Sequence, residues 1–385
     1  MIFFTNISCA QAEVLNIIYT GGVAGELEPC GCSLKTDIGG LARRAGYIED
    51  NSKDLSPYIL VDAGNFLGED TPQGRLKAET MLRSLAAMSY DVVAVLENER
   101  GFPPDFLLDL LRRFRIPYIS DLEGSKKSFS MMHEKIKINL SVDSEGFKEG
   151  ELNILLAGTP ISDIKSIKGW DIAILSSGDI IDEPQRVDGK VIVAGYPKGE
   201  RLGILRLKIN DKGDILDHEN RWQPLGRDIE GSEVIKEILK DYDSKVAILL
   251  RNEYKPAIEE TYIGVSRCAE CHQPYFDSWR VTDHARAWNA LERVGKLNDP
   301  ECIRCHVVGF GEDGGFHRIE TTPTLADVQC EACHGKGAEH IKGNYRMVRE
   351  VNESICLGCH TEENSPDFDY SDYLKKVDHK EIWEE

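Results

Sequence analysis

The pentapeptide C-x-x-C-H occurs four times in the last third of the chain, and no other feature limits its fold as strongly. The motifs are Cys268-Ala269-Glu270-Cys271-His272, Cys302-Ile303-Arg304-Cys305-His306, Cys330-Glu331-Ala332-Cys333-His334 and Cys356-Leu357-Gly358-Cys359-His360. Two thiols three positions apart can each add to one vinyl group of a single porphyrin. The histidine that follows is then held beneath the iron as its proximal ligand. Structural zinc accounts for C-x-x-C pairs but not for a histidine after every one of them. A thioredoxin-like dithiol sits beside a βαβ pattern and does not come in fours. The repeat therefore points to four covalently bound haem c groups. A segment this rich in glycine, histidine and cysteine, with few apolar-periodic stretches, also needs such groups to pack around.

The other histidines are His133, His218, His284, His317, His340 and His379. A lone histidine is usually a surface or core residue with satisfied hydrogen bonds, but among haem motifs it is a candidate sixth ligand. His284 follows the first motif in TDHARAW, His340 follows the third in CHGKGAEH, and His379 ends the region in YLKKVDH. His317 is a weaker distal candidate. His133 and His218 lie outside this region and carry no expected metal role.

At 385 residues the chain suits two domains. Its formal net charge of −20 excludes a nucleic-acid binder, which needs a basic face to meet phosphate, and argues against docking on an anionic membrane. An acidic surface suits a basic redox partner. Residues 1–12, MIFFTNISCAQA, read as the end of a secretory signal, with an apolar run at Ile2–Phe4 and an A-x-A site at Ala10-Gln11-Ala12. The basic n-region is missing, as in a signal truncated by a start codon placed too far downstream. Asn6 disfavours a lipid anchor on Cys9. No later segment approaches a membrane span, so the expectation is an exported, periplasmic or extracellular protein without a membrane span. Its oligomeric state is left open.

From 13 to 257 the pattern alternates strands and helices. Strands are expected at Leu15–Tyr19, Tyr58–Asp62, Asp91–Leu96, Leu152–Gly158, Asp171–Leu175, Val191–Gly195 and Leu202–Ile209. Helices are expected at Leu41–Glu49, Ala78–Met88 and Pro104–Phe114. Glu123–Gly150 reads as an irregular excursion or hairpin. A helix over Ser232–Asn252 closes the region, and Tyr254–Thr261 reads as a linker. This is an α/β sandwich with loops at the strand C-termini, followed over 258–385 by a mainly helical and irregular haem region.

The strings YIGVSRCAECH, SWRVTDHARAW, CIRCHVVGF, VQCEACHGKGAEH and the closing LGCH resemble the cytochrome c554 family of tetrahaem cytochromes. That resemblance implies closely stacked haems, mostly with two histidine ligands, and electron transfer in the periplasm. In some members it implies a link to nitrogen-compound oxidation, and in part of the family one haem lacks a sixth ligand. Three strong distal candidates for four irons are compatible with one open position.

LNIIYTGGVAGEL, YILVDAGNFLG, YDVVAVLENERGF and VIVAGYPKGERLGILRLKI resemble the metallophosphoesterase domain of periplasmic 5′-nucleotidases, in the UshA-like branch. The resemblance implies a dinuclear site of Asp, His and Asn, most of which is lost. Gly22 and Ala24 stand in the D-x-H motif, Asn65 replaces the bridging aspartate, and Glu99 takes the place of the histidine beside the retained Asn98. The later histidine falls near Ser177, and the G-H-x-H segment before Lys190 is absent. So few donors cannot hold two metals and activate water, which argues against phosphoesterase activity. The branch shares the Cys30-Gly31-Cys32 pair, and some relatives carry selenocysteine there. Cys30 and Cys32 are thus a possible redox pair, a soft-metal site, or a structural disulfide.

The combined expectation is a periplasmic multihaem cytochrome that transfers electrons to redox partner proteins. Its pseudo-phosphoesterase domain would serve docking or thiol redox chemistry. One alternative is a haem enzyme acting on a small nitrogen or sulfur compound at an open iron. Another is a subunit of an extracellular cytochrome assembly.

Overall fold

The computed structural model describes residues 13–29, 32–210, 213–253 and 261–379. The expected signal at 1–12, Cys30, and all of the expected linker except Thr261 lie outside the described residues. The chain divides into two compact units, Met1–Pro29 with Ile38–Lys240, and Cys30–Asp37 with Asp241–Glu385.

The first unit opens with β1 (Glu13–Thr20), α1 (Leu41–Leu55), β2 (Tyr58–Asp62), α2 (Pro72–Ala87), β3 (Val92–Val95), α3 (Pro104–Arg113) and β4 (Tyr118–Ser120). There follow β5 (Ser128–His133), β6 (Ile136–Ser141), β7 (Leu152–Ala157), α4 (Ile161–Ile164), β8 (Ile172–Leu175), β9 (Gln185–Val187), β10 (Lys190–Ala194), β11 (Arg201–Ile209) and β12 (Ile215–Pro224). The strands build two six-stranded sheets, ordered β12-β11-β1-β2-β3-β4 and β5-β6-β7-β8-β10-β9. Central strands pair in parallel, and β12, β11, β5 and β9 add antiparallel edges.

Alternate residues of both sheets meet in one core: Leu15, Ile17 and Tyr19 of β1, Ile59 and Val61 of β2, Ile154 and Leu156 of β7, Val191 and Val193 of β10. The residues between them, such as Ile18 and Leu60, are buried too. Strands covered on both faces read as unbroken apolar runs, which is why these were visible in the sequence. Tyr19 sits opposite Gly203 in the register. A Cβ on Gly203 would come 2.2 Å from the Tyr19 ring, so this ring can lie across the sheet only over glycine.

Where the structure departs from the expectations, polar residues hide the period. Of the two readings of Glu123–Gly150, the hairpin is the one seen, formed by β5 and β6, and β6 also joins the core through Ile136, Ile138 and Leu140. β12 was not expected because an edge strand reading DHENRW alternates charge rather than apolar residues. α1 runs on to Leu55, which re-anchors it in the core after a polar turn. α2 starts at Pro72 rather than Ala78, because Thr71 accepts the Gly74 N–H at 2.9 Å and proline suits the first helical position.

α5 (Glu233–Glu253) precedes the short helices of the second unit. These are α6 (Val265–Trp279), α7 (Ala287–Val294), α8 (Pro300–Ile303), α9 (Cys330–His334), α10 (Ala338–Ile341), α11 (Glu353–Cys356) and α12 (Tyr370–Leu374). Its apolar cluster, including Tyr262, Leu291, Ile303, Val307, Val308, Phe316 and Leu325, surrounds the second C-x-x-C-H motif. From Glu339 to His379 no described residue is buried. No helix of the described residues is long and apolar enough to cross a membrane.

Candidate haem centres and a remodelled cleft

Each motif is built on a helical turn. In α6 the thiols of Cys268 and Cys271 stand one turn apart on one face, and the helix breaks at His272 (φ −123°, ψ 42°), re-aiming the imidazole. In the second motif Cys305 N–H donates to Cys302 O (3.3 Å) and His306 N–H to Ile303 O (2.8 Å). The fourth closes in the same way, with His360 N–H donating to Cys356 O at 2.9 Å. The third motif is α9 itself, ended by Gly335 at φ 88°.

The histidines meet in pairs. Ring centres lie 6.3 Å apart for His272 and His340, 6.2 Å for His284 and His360, and 5.9 Å for His334 and His379. Two imidazoles sharing one metal, each nitrogen about 2.0–2.1 Å from it, have ring centres roughly 6.3 Å apart. The three pairs are spaced for one metal atom each. In addition, Nδ1 of His306 and of His334 lies 2.6 Å from a backbone oxygen, that of Ala287 and of Val348 respectively. Nδ1 of His340 is 3.0 Å from Tyr345 O, and that of His379 is 3.1 Å from Val377 O. A carbonyl only accepts, so Nδ1 carries the proton and the Nε2 lone pair is left for a metal. Burial holds His284, His360 and His379 below the ordinary histidine range, in the neutral form that ligates.

His306 differs. Among the described residues no ring pairs with it. His317 is buried, with Nδ1 3.1 Å from Thr321 Oγ1 and its backbone N–H donating to Thr322 Oγ1 at 2.8 Å. The described pairs use His284, His340 and His379.

Thiols of different motifs are also neighbours. Cys268 lies near Cys330, Cys305 near Cys359, and Cys356 near Cys333, close enough for each to perturb the other's thiol. The motifs therefore neighbour one another in the order first, third, fourth, second. The donor set, the paired imidazoles and a polypeptide with little core of its own all fit haem.

In the first unit, the residues singled out from the phosphoesterase resemblance have the following partners. Gly22 N–H donates to Gly64 O (3.0 Å), and Ala24 N–H donates to Asn65 O (2.9 Å). Asn65 Nδ2 donates to Ser176 O at 3.3 Å, and Ser177 Oγ to Asp179 at 2.8 Å. Lys190 Nζ caps the carbonyls of Lys165 and Ile167. Asn98 is exposed. Glu99 is buried and accepts the N–H groups of Phe66 (2.9 Å) and Leu96 (3.0 Å). Burial pushes its carboxyl up to about 7. A Cβ on Gly195 would meet Gly21 O at 2.3 Å, so backbone closes on backbone at the ends of β1 and β10. Among the described residues no cluster of three or more His, Cys, Asp or Glu is placed to hold a metal ion. Cys32 is disulfide-bonded, and Cys30 lies outside the described residues.

Sequence reasoning passed over the buried Gln329 and Glu331, which flank Cys330 and bond to the chain before α6. Nothing in the spacing marks them, since the first motif carries a glutamate one place later that is exposed.

The family model for cytochrome c554 and c-prime matches residues 267–335. Cytochrome c-554 of Nitrosomonas europaea is 33% identical over 112 residues, covering 25% of this chain and 47% of that protein. The chain thus spans about half the length of that relative. A 5′-nucleotidase precursor from Thermus thermophilus superimposes with a TM-score of 0.53 at 13% identity, over 64% of this chain and 61% of its own. Sulfate thiohydrolase SoxB, also from Thermus thermophilus, does so with 0.51 at 16% identity, over 60% of each chain. The calcineurin-like phosphoesterase YfkN from Bacillus subtilis gives 0.50 at 14%, over 61% of this chain and 98% of its own. At these identities the likeness is one of fold. The C-terminal segment resembles the cytochrome c554 family, and the paired sheets have the calcineurin-like phosphoesterase architecture.

Proposed function

We propose that this chain is an exported electron-transfer protein whose second unit carries four covalent haem c groups. The three histidine pairs at 5.9–6.3 Å are the observation that carries this reading. Haem c, when bound, supplies one-electron redox chemistry. The chain's own residues tether and orient it. Cys268 and Cys271, Cys302 and Cys305, Cys330 and Cys333, and Cys356 and Cys359 anchor the four groups. His272 with His340, His334 with His379, and His360 with His284 would hold the first, third and fourth groups, and His306 would hold the second.

Paired histidines around a bound haem would favour outer-sphere transfer between proteins, and the motif order first, third, fourth, second supports a short relay. The net charge of −20 supports a basic redox partner. The disulfide at Cys32 supports an oxidising compartment, in keeping with the periplasm. The first unit serves docking, and Cys30 and Cys32, in the segment grouped with the second unit, serve thiol redox chemistry.

A second reading rests on His306: the opposite face of its iron binds a small nitrogen or sulfur compound. One pair of measurements on the protein from a host with c-type maturation tests both. Pyridine haemochrome should return four haems per chain, and EPR of the oxidised protein should show three bis-histidine low-spin species and one distinct species. Zinc in place of haem ends the cytochrome reading. Four low-spin bis-histidine species end the second reading alone.

A further inference from the structure

Glu331 lies inside the third motif, between Cys330 and Ala332, and is 3% exposed. Its carboxylate accepts the N–H of Gly264 at 2.8 Å and of Ile263 at 3.1 Å, at the start of α6. Its other oxygen accepts the N–H of Gly337 at 2.7 Å, at the start of α10. α6 carries His272 and α10 carries His340, the two members of one histidine pair. Helix starts leave N–H groups without intrahelical partners, and a carboxylate is the strongest side-chain acceptor for them. Gln329 adds a tie at one end only: its Oε1 accepts Val265 N–H at 2.7 Å, while its amide donates to Thr324 O and Ala326 O. Cys268 and Cys330 lie near each other across the same junction.

We propose that Glu331 is the positioning residue of the first haem centre: one buried carboxylate within the third motif holds both helices that present His272 and His340. The inference rests on the haem reading above. Loss of either tie frees one helix to rotate about its axis, changing the mutual angle of the two imidazole planes, now 20°. The side chain's hydrogen bonds go to backbone N–H groups at the two helix starts, so its effect passes through the histidines those helices carry. Because the anchor belongs to the third motif, the first and third centres are also fixed to each other.

The test is Glu331→Gln in the full-length haem-loaded chain. Glutamine keeps the volume and one acceptor but turns a donor toward one of the two helix starts. The first centre's EPR species is assigned beforehand by His340→Ala, which removes one axial ligand from that iron alone. The expected result is four haems per chain, altered g-values in the first low-spin species, and unchanged signals from the second and fourth. Three haems, with Cys268 and Cys271 the pair left free, give the same answer. Should Glu331→Gln fail to accumulate, Glu331→Asp, which keeps the charge but shortens the reach, is read in the same way. Four haems with every g-value superimposed on wild type overturn the inference, even if the melting temperature falls. Absence of haem from the wild type would instead overturn the reading beneath it.

Discussion

Glu99 is a buried carboxylate in the turn after β3, and its burial makes a quantitative prediction. The side chain is 1% exposed, and desolvation, opposed by the N–H groups of Leu96 and Phe66, raises its carboxyl from 4.5 to about 7. Between those values the folded protein holds a proton that the unfolded chain has released. Stability contributed at this site is therefore greatest on the acid side, falls as pH rises from about 4.5, and levels off above about 7. Each tenfold in proton affinity is worth about 1.4 kcal/mol, which sets the full loss at about 3 kcal/mol. Most of it falls between pH 5 and pH 8.

The perturbation is Glu99→Gln in the full-length chain, with urea unfolding followed by the fluorescence of Trp170 and Trp222, both in the first unit. Glutamine keeps one acceptor for the two N–H groups, so near pH 5 the variant should be less stable by about 1 kcal/mol. Wild type should lose roughly 2–3 kcal/mol more than the variant between pH 5 and pH 8, reversing their order. Asp91 and Asp171 are also raised by burial, but they are common to both proteins and cancel in the comparison, while the charge of Asp62 is one of the causes that raise Glu99. Parallel stability curves across this range would refute the reasoning. So would Mn or Zn stabilising wild type but not the variant, since Glu99 would then be a ligand rather than a cap.

Two further outcomes follow from the same accounting. The full-length protein should not hydrolyse nucleotides or sugar nucleotides with added Mn or Zn; metal-dependent turnover that vanishes in Asn98→Ala would show that the remodelled cleft is live. Replacing Cys30 and Cys32 together by serine should leave four haems in place but slow reoxidation of the reduced haems by a thiol- or disulfide-linked acceptor. Unchanged stopped-flow traces with stability lowered by about 2–5 kcal/mol would mark a structural disulfide instead.

What could be read from the sequence divides along physical lines. The central strands β1, β2, β7, β8 and β10 are buried on both faces, so their composition alone betrays them. β12 and the β5–β6 hairpin stabilise themselves by pairing, with polar residues outward, and their signal lies in a partner that the sequence does not reveal. The haem motifs were legible because thiol spacing is fixed by one porphyrin. The pairing of distal histidines was not. His272 meets His340, and His360 meets His284, across long stretches of chain whose approach depends on three-dimensional ties such as Glu331. Three of the four distal candidates fall into pairs. His317, the weakest of them, is buried beside Thr321 and Thr322.

The contrast between the two units turns on where polar groups find their partners. Buried polar atoms must be satisfied internally or lost, because a buried group without a hydrogen bond costs about 1–3 kcal/mol. In the first unit Asn65 reaches Ser176 O, Glu99 caps two N–H groups, and Lys190 caps two carbonyls. In the second unit the accounting stops halfway. His306, His334, His340 and His379 each engage a backbone oxygen through Nδ1, while their Nε2 atoms make no hydrogen bond to the described residues. One nitrogen fixed and the other left over is the arrangement a metal ligand requires, since the fixed proton sets the tautomer and the free lone pair meets the metal. Where two such histidines also face each other at the distance a shared metal sets, as three pairs of the second unit do, the two observations point to the same ligand.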